Sequence, residues 1–132
     1  MPNARKPGFV LFASGLPRMA KFYEAIVPMT LAHSEPGLIV LEAQGFELVV
    51  HGIPEHIARS ISIGSPPARR TDTALKPVLP VDSIARARLQ AAELGGELDA
   101  EHAEFEWRGF RCCHGHDPEG NIIQFRERLK EF

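Results

Sequence analysis

The chain has 132 residues, an apolar fraction of 44% and a formal charge of -2. This is enough for one globular domain with a real core, and the near-neutral balance offers no basic field for nucleic acid or an anionic membrane. No apolar run approaches a membrane span, and the first residues lack the apolar stretch of a signal peptide. The only cysteines, Cys112 and Cys113, are neighbours. A bond between neighbours is strained, so two free thiols are expected, which fits a reducing compartment and a cytoplasmic location.

Phe9–Ala13 reads as a short apolar strand, broken by Ser14-Gly15-Leu16-Pro17, which opens a helix. Met19, Phe22, Tyr23 and Ile26 recur at helical spacing, and Pro28 stops the run. Strands are expected over Thr30–His33, Leu38–Ala43 and Phe46–His51, the last two joined by Gln44-Gly45. Gly52–Thr73 holds Pro54, Gly64, Pro66, Pro67, Arg69 and Arg70 with little periodicity, and reads as a linker or lid. Leu75–Val81 is a strand whose Pro77 and Pro80 must face an edge or an unpaired side. Asp82 is the expected N-cap of a helix carrying Ile84, Ala87, Ala91 and Leu94 on one face and ending at Gly95-Gly96. Glu97–Ala100 is read as a strand. Phe110–His114 and Ile122–Glu127 form a hairpin around Asp117-Pro118-Glu119-Gly120-Asn121, a turn by composition. Leu129–Phe132 is a fraying tail.

The order strand, helix, about three strands therefore occurs twice, with Gly15 and Asp82 at equivalent corners. Two βαβββ modules make an α+β protein with helices on the outer face of curved mixed sheets around an open cleft. Neither half buries its helix alone, so the halves pair within one chain or between chains. The modules fall at about 8–52 and 74–128, with 53–73 between them, inside one domain spanning 1–132.

This order resembles the vicinal oxygen chelate superfamily, which includes glyoxalase I, extradiol dioxygenases, fosfomycin-resistance enzymes and bleomycin-resistance proteins. The resemblance rests on Phe22-Tyr23, on Glu47 within FELVVHG, on Val81-Asp82, on Gly95-Gly96 and on HDPEGNIIQF, and covers Phe9 to Glu127. It marks the fold and not the activity. It implies four metal-ligand positions in metal-dependent members, on the first and last strand of each half. They fall on Gly8, Glu47, Lys76 and Gln124. Gly8 has no side chain and Lys76 is a cation, so no divalent site is expected and no cofactor is assigned.

If Glu47 and Gln124 point into the cleft, strand alternation sends Val10, Phe12, Val49, His51, Val78, Ile122 and Arg126 there as well. Phe9, Leu11, Leu48, Val50, Leu79, Ile123 and Phe125 then face the helices. The ligand-binding residues expected are Phe12, Glu47, His51, Lys76, Gln124 and Arg126, in a cleft with apolar walls and few polar groups. Glu47 and Lys76 are candidates for an ion pair where relatives hold a metal. His114 and His116 share one strand face but lack an assignable third ligand. Cys112 and Cys113 read as buried apolar residues before reactive thiols. Trp107 and Phe110 read as packing or a subunit contact before a stacking surface.

Three functions follow from these readings. The favoured one is a metal-free small-molecule-binding protein of the bleomycin-resistance type, acting by sequestration and, as the resemblance implies, as a homodimer. The alternative is a lyase or dioxygenase of glyoxalase type with an unconventional site, Glu47 acting as general base and Lys76 or Arg126 as electrostatic stabiliser. The third is a partner-binding or regulatory domain using the long loop.

Overall fold

The structure, a computed structural model, describes residues 5–130. Glu131 and Phe132 of the expected tail lie outside the described residues. Strand β1 (Gly8–Ala13) leads into helix α1 (Leu16–Ile26), followed by β2 (Thr30–Glu35), β3 (Leu38–Ala43) and β4 (Phe46–Gly52). A short helix α2 (Glu55–Ala58) lies in the segment that crosses to β5 (Val78–Pro80) and α3 (Ile84–Glu93). Then come β6 (Glu97–Leu98), a 3-10 turn (Glu101–Ala103), β7 (Phe105–Trp107), β8 (Phe110–His116) and β9 (Ile122–Arg128).

The strands make two mixed sheets. The first has the order β1-β4-β3-β2, with β1 parallel to β4 and the other pairs antiparallel. The second has the order β5-β9-β8-β6, with β5 parallel to β9, and β7 also paired to β8. Each sheet thus starts on a parallel edge strand and continues as a meander, the repeat expected of two βαβββ modules. In the second, β6 and β7 share the place of one strand beside β8. Strand β7 is absent from the expectation because it is only three residues long. It is held by a two-residue turn, Arg108-Gly109, with both residues at positive φ, the geometry that matches strand twist.

Helix α1 packs on β3 and β4, α3 packs on β6 and β9, and the two helices touch each other. One continuous core results, built from Met19, Phe22 and Tyr23 of α1, Leu48 and Val50 of β4, Ile84 and Ala87 of α3, and Ile123 and Phe125 of β9. Strand parity is as expected. Leu48, Val50, Leu79, Ile123 and Phe125 are buried toward the helices, with Phe9 and Leu11 packed against them, while Val10, Phe12 and Val78 are exposed on the other face.

Two local expectations are corrected. The strand expected over Leu75–Val81 is only Val78–Pro80, because Pro77 and Pro80 have no N–H to offer. They are tolerated because β5 is an edge. Its bonds to β9 use the Pro77 carbonyl, which accepts from Gln124 N–H, and Val81 N–H, which donates to Arg126. The N-cap of α3 is Ser83 and not Asp82: the Ser83 hydroxyl accepts from Arg86 N–H at 3.1 Å, while Glu127 accepts Ile84 N–H at 2.7 Å.

The DPEGN turn joins the halves. Asp117, fully buried, accepts from Tyr23 Oη at 2.6 Å, from Glu119 N–H and Asn121 N–H, and from the Asn121 amide. Glu119 accepts Ser14 N–H at 2.9 Å and Gly15 N–H at 2.7 Å, where α1 has no capping side chain of its own. Burial pushes the Asp117 carboxyl up, against the lowering pull of the Tyr23 hydroxyl. The crossing segment is fastened to the same turn. Gly120, at φ +86°, has no room for a Cβ against the Ala68 carbonyl, and Arg70 N–H donates to the Gly120 carbonyl. No helix among the described residues is long and apolar enough to cross a membrane.

Candidate functional site

The five-residue turn closes the β8–β9 hairpin with His116 opposite Ile122. Register then sets His114 opposite Gln124 and Cys112 opposite Arg126. On the far side of β9, Val78 lies opposite Gln124 and Pro80 opposite Arg126. On the far side of β8, Phe105 lies opposite Cys112. One sheet face therefore carries Lys76, Gln124, Arg126, His114 and the rings of β7.

These side chains are wired together. Arg126 Nε donates to Gln124 Oε1 at 2.7 Å, which fixes the amide so that its NH₂ faces His114. Gln124 Nε2 lies 3.2 Å from His114 Nε2, and Lys76 Nζ lies 3.1 Å from the same atom. An ammonium only donates, so Nε2 is the acceptor and the ring proton sits on Nδ1. Burial, and then the Lys76 charge, push the His114 imidazole below its ordinary value. The ring also leans on Phe105, centroids 5.5 Å apart. Arg126 continues the row: its guanidinium carbon lies 4.9 Å from the Trp107 ring centre and 5.7 Å from that of Phe110.

His116, next on the same face, accepts from Arg69 Nε at 2.9 Å through Nδ1, while Arg69 Nη1 pairs with Asp99 at 2.7 Å. Burial, and then Arg69, push this imidazole down as well. The crossing segment is thus tied to β8 at both histidines, by Arg69 and by Lys76.

The face of the first sheet is plainer. Val10 and Phe12 on β1 are 51% and 61% exposed. Phe12 lies beside His51, ring centres 5.5 Å apart, and His51 Nδ1 bonds the Gly52 carbonyl. Glu47 sits opposite Gly8 in the β1–β4 register and makes no ion pair among the described residues. The expected Glu47–Lys76 pair is not formed: Lys76 is bonded to His114 instead. Between the sheets, where β1 meets the segment before β5, lies a cavity of about 370 Å³. Val10, Leu75, Pro77 and Ile122 give it mostly apolar walls.

Residues 8–125 match the family described as the glyoxalase-like domain. The chain belongs to that family. With it goes membership of the vicinal oxygen chelate superfamily. The glyoxalase-like fold is shared with a glyoxalase/bleomycin resistance protein/dioxygenase family enzyme from Burkholderia phytofirmans PsJN, at TM-score 0.66 and 14% identity over 92% of this chain and 97% of that one. It is shared with a glyoxalase-related enzyme from Fulvimarina pelagi, at TM-score 0.64 and 15% identity over 94% and 88%. It is also shared with a bleomycin-binding protein complexed with bleomycin, at TM-score 0.56 and 16% identity over 96% and 98%. No curated protein matches the sequence.

Within this glyoxalase-like domain, the four positions marked for metal ligands do not make a donor set. A side chain at position 8 would run into the Glu47 carbonyl, so β1 and β4 are too close there for a ligand. Lys76 brings a positive charge, and Gln124 has its oxygen committed to Arg126. Only the Glu47 carboxylate remains, and one oxygen donor group does not make a divalent-ion site. Among the described residues, no three His, Cys, Asp or Glu side chains are placed to hold a metal ion.

Of the residues expected at the site, the structure joins Lys76, Gln124 and Arg126 in one cluster. It puts Phe12 and His51 together on the first sheet and leaves Glu47 apart from Lys76. His114 at the centre of the cluster is the residue that sequence reasoning passed over. The signal was there: a hairpin closing at His116 and Ile122 sets residue 114 against residue 124. Trp107 belongs to the same face through Arg126. Both cysteines are buried, Cys113 against α3, where Arg88 Nη2 lies 3.6 Å from its sulfur.

Proposed function

We propose that this protein binds a small organic molecule in the cleft between its two sheets, without a metal ion, and acts by holding that molecule. The observation that carries the reading is the Lys76–His114–Gln124–Arg126 cluster. It fills two of the four ligand positions with a cation and a committed amide, while Ile122 of the same strand and Leu75 and Pro77, which flank Lys76 in sequence, line an apolar cavity of about 370 Å³. That volume lies in the range of small-molecule sites, and apolar walls with few polar groups are their usual anatomy. The bleomycin complex of a structural neighbour supports the same use of this fold. Phe12, His51 and Glu47 complete the first-sheet wall of the binding site. The reading includes a homodimer, for which the edge strand β2 offers six exposed residues. It also includes a cytoplasmic location, in keeping with two free thiols.

The test is metal analysis of untagged protein, together with thermal shifts under added Ni²⁺, Zn²⁺, Mn²⁺ and Fe²⁺. The expected result is substoichiometric metal and no stabilisation by any of the four. Stoichiometric metal, or a saturable rise in melting temperature with one ion, would overturn the metal-free reading and favour the lyase or dioxygenase alternative. Light scattering on the same preparation counts the chains.

A further inference from the structure

The cluster is unbalanced in charge, which bears on what it binds. Around the second sheet, Arg69 pairs with Asp99, Arg88 with Glu104, and Arg111 with Glu104 and Glu106. Among the described residues, Lys76 and Arg126 make no ion pair, and neither does Arg108, whose guanidinium also lies over the Trp107 ring at 5.2 Å. Lys76 and Arg126 bond only neutral groups, an imidazole for Lys76 and an amide with two aromatic rings for Arg126. Arg126 uses only Nε, so its terminal nitrogens keep their donors, and the exposed Lys76 keeps spare protons. The two cations flank Gln124, which bonds to Arg126 through its oxygen and faces His114 through its nitrogen. His114 in turn holds Lys76, so neither cation is free to swing away without losing a bond.

Apolar surface reaches the same face of β9 through Ile122, which lines the cavity. Lys76 sits in sequence between Leu75 and Pro77, both of which line the cavity, and Ile122 is the next residue on the Gln124 face of β9. On the other side of Arg126, Trp107 is 48% exposed. Glu47 lies on the other sheet and pairs with neither cation, so a neutral apolar ligand seated on the cluster would shield both cations from water without supplying a counter-charge, a costly arrangement. A cationic ligand would be repelled.

Resting on the small-molecule reading, we infer that the ligand is an organic anion: a carboxylate or sulfonate on a flat apolar body, its charged group between Lys76 and Arg126 and its body in the cavity beside Leu75 and Ile122. Recognition of this kind is charge-assisted, bidentate at the guanidinium, and weakened by salt.

The experiment uses two probes with the same rings, 1-anilinonaphthalene-8-sulfonate and the uncharged N-phenyl-1-naphthylamine. Each is titrated into the full chain and read by energy transfer from Trp107, the only tryptophan. The sulfonate is expected to saturate at one per chain and to bind about tenfold more tightly than the uncharged probe. Lys76→Met and Arg126→Met should each remove about that factor for the sulfonate and leave the uncharged probe unchanged, while Arg126→Lys keeps part of it. Raising the salt concentration should narrow the gap between the probes. Equal binding of both probes, unaltered by the variants, would sink the anion inference and leave the small-molecule reading standing. Absence of saturable transfer from Trp107 with either probe would sink both.

Discussion

The two sheet faces occupy equivalent places in the repeat, yet they have been furnished differently. The first face offers Gly8, Val10, Phe12, Glu47 and His51, with His51 bonded to its neighbour's carbonyl, Lys6 paired with Glu42, and His33 with Glu35. The second links Lys76, His114, Gln124 and Arg126 in a row and ties His116 to Arg69 and Asp99 beside it. A repeated fold fixes where side chains can point, and it leaves open what they do. Here one copy supplies Val10 and Phe12 beside separate polar pairs, and the other supplies fixed donors whose positions are set by one another. Selectivity is therefore expected to reside on the second face and shape on the first.

Both faces keep their places only while the turn joint holds, so the largest effect is expected there. Asp117→Ala leaves the Tyr23 hydroxyl and the turn amides without their acceptor in a buried setting. A loss of about 3 kcal/mol is expected in urea denaturation. A loss under about 1 kcal/mol would mean that the core alone aligns the sheets.

A sharper contrast comes from putting a ligand residue at the equivalent first positions of the two halves. Gly8→His drives a side chain into the Glu47 carbonyl and should cost about 2 kcal/mol without creating a Ni²⁺ site. Lys76→His, at an exposed position, should change stability by less than about 0.5 kcal/mol. Equal stability of the two variants, or a nickel-dependent stabilisation of Gly8→His, would show that the faces are less different than their geometry makes them.

Much of this was legible in the sequence. Strand parity placed Val10, Phe12, Val78, Gln124 and Arg126 on the cleft side because a period of two leaves no choice once a core face is apolar. Helix faces were legible for the same reason, at a period of 3.6. The Glu47–Lys76 pair failed because opposite charge at equivalent positions says nothing of reach, and a nearer acceptor, His114, takes the lysine. Strand β7 was missed because three residues carry almost no periodicity. The Asp99–Arg69–His116 link was illegible because it joins distant residues through a segment without regular structure, where neither period applies.

The smallest effect concerns acid. His114 and His116 both serve as acceptors, one for Lys76 and Gln124, the other for Arg69, and an acceptor imidazole must be neutral. Burial and the adjacent cations hold both below the ordinary histidine value. His114 faces Lys76, Asp99 and Arg69; His116 faces Arg69, Glu97, Asp117 and Asp99. Their folded pKa values lie below the unfolded value of about 6.5, so the unfolded chain binds more protons as pH falls. The stability they contribute is therefore complete above about pH 6.5 and is lost as pH falls through the lower folded values. Asp117 has the opposite sign, since its raised carboxyl takes up a proton in the folded chain first. Measurements span about pH 5 to 8, and Asp117, common to wild type and to His116→Gln and Lys76→Met, drops out of the difference between their curves. Urea midpoints across this range should fall toward the acid end, and His116→Gln should flatten the curve by removing one of the two protonations. Lys76→Met should flatten it less, because it removes a cation that depresses His114 but leaves the burial that depresses it more. A difference between the curves that is flat across the range would mean that the crossing segment is held to β8 by something other than these two imidazoles.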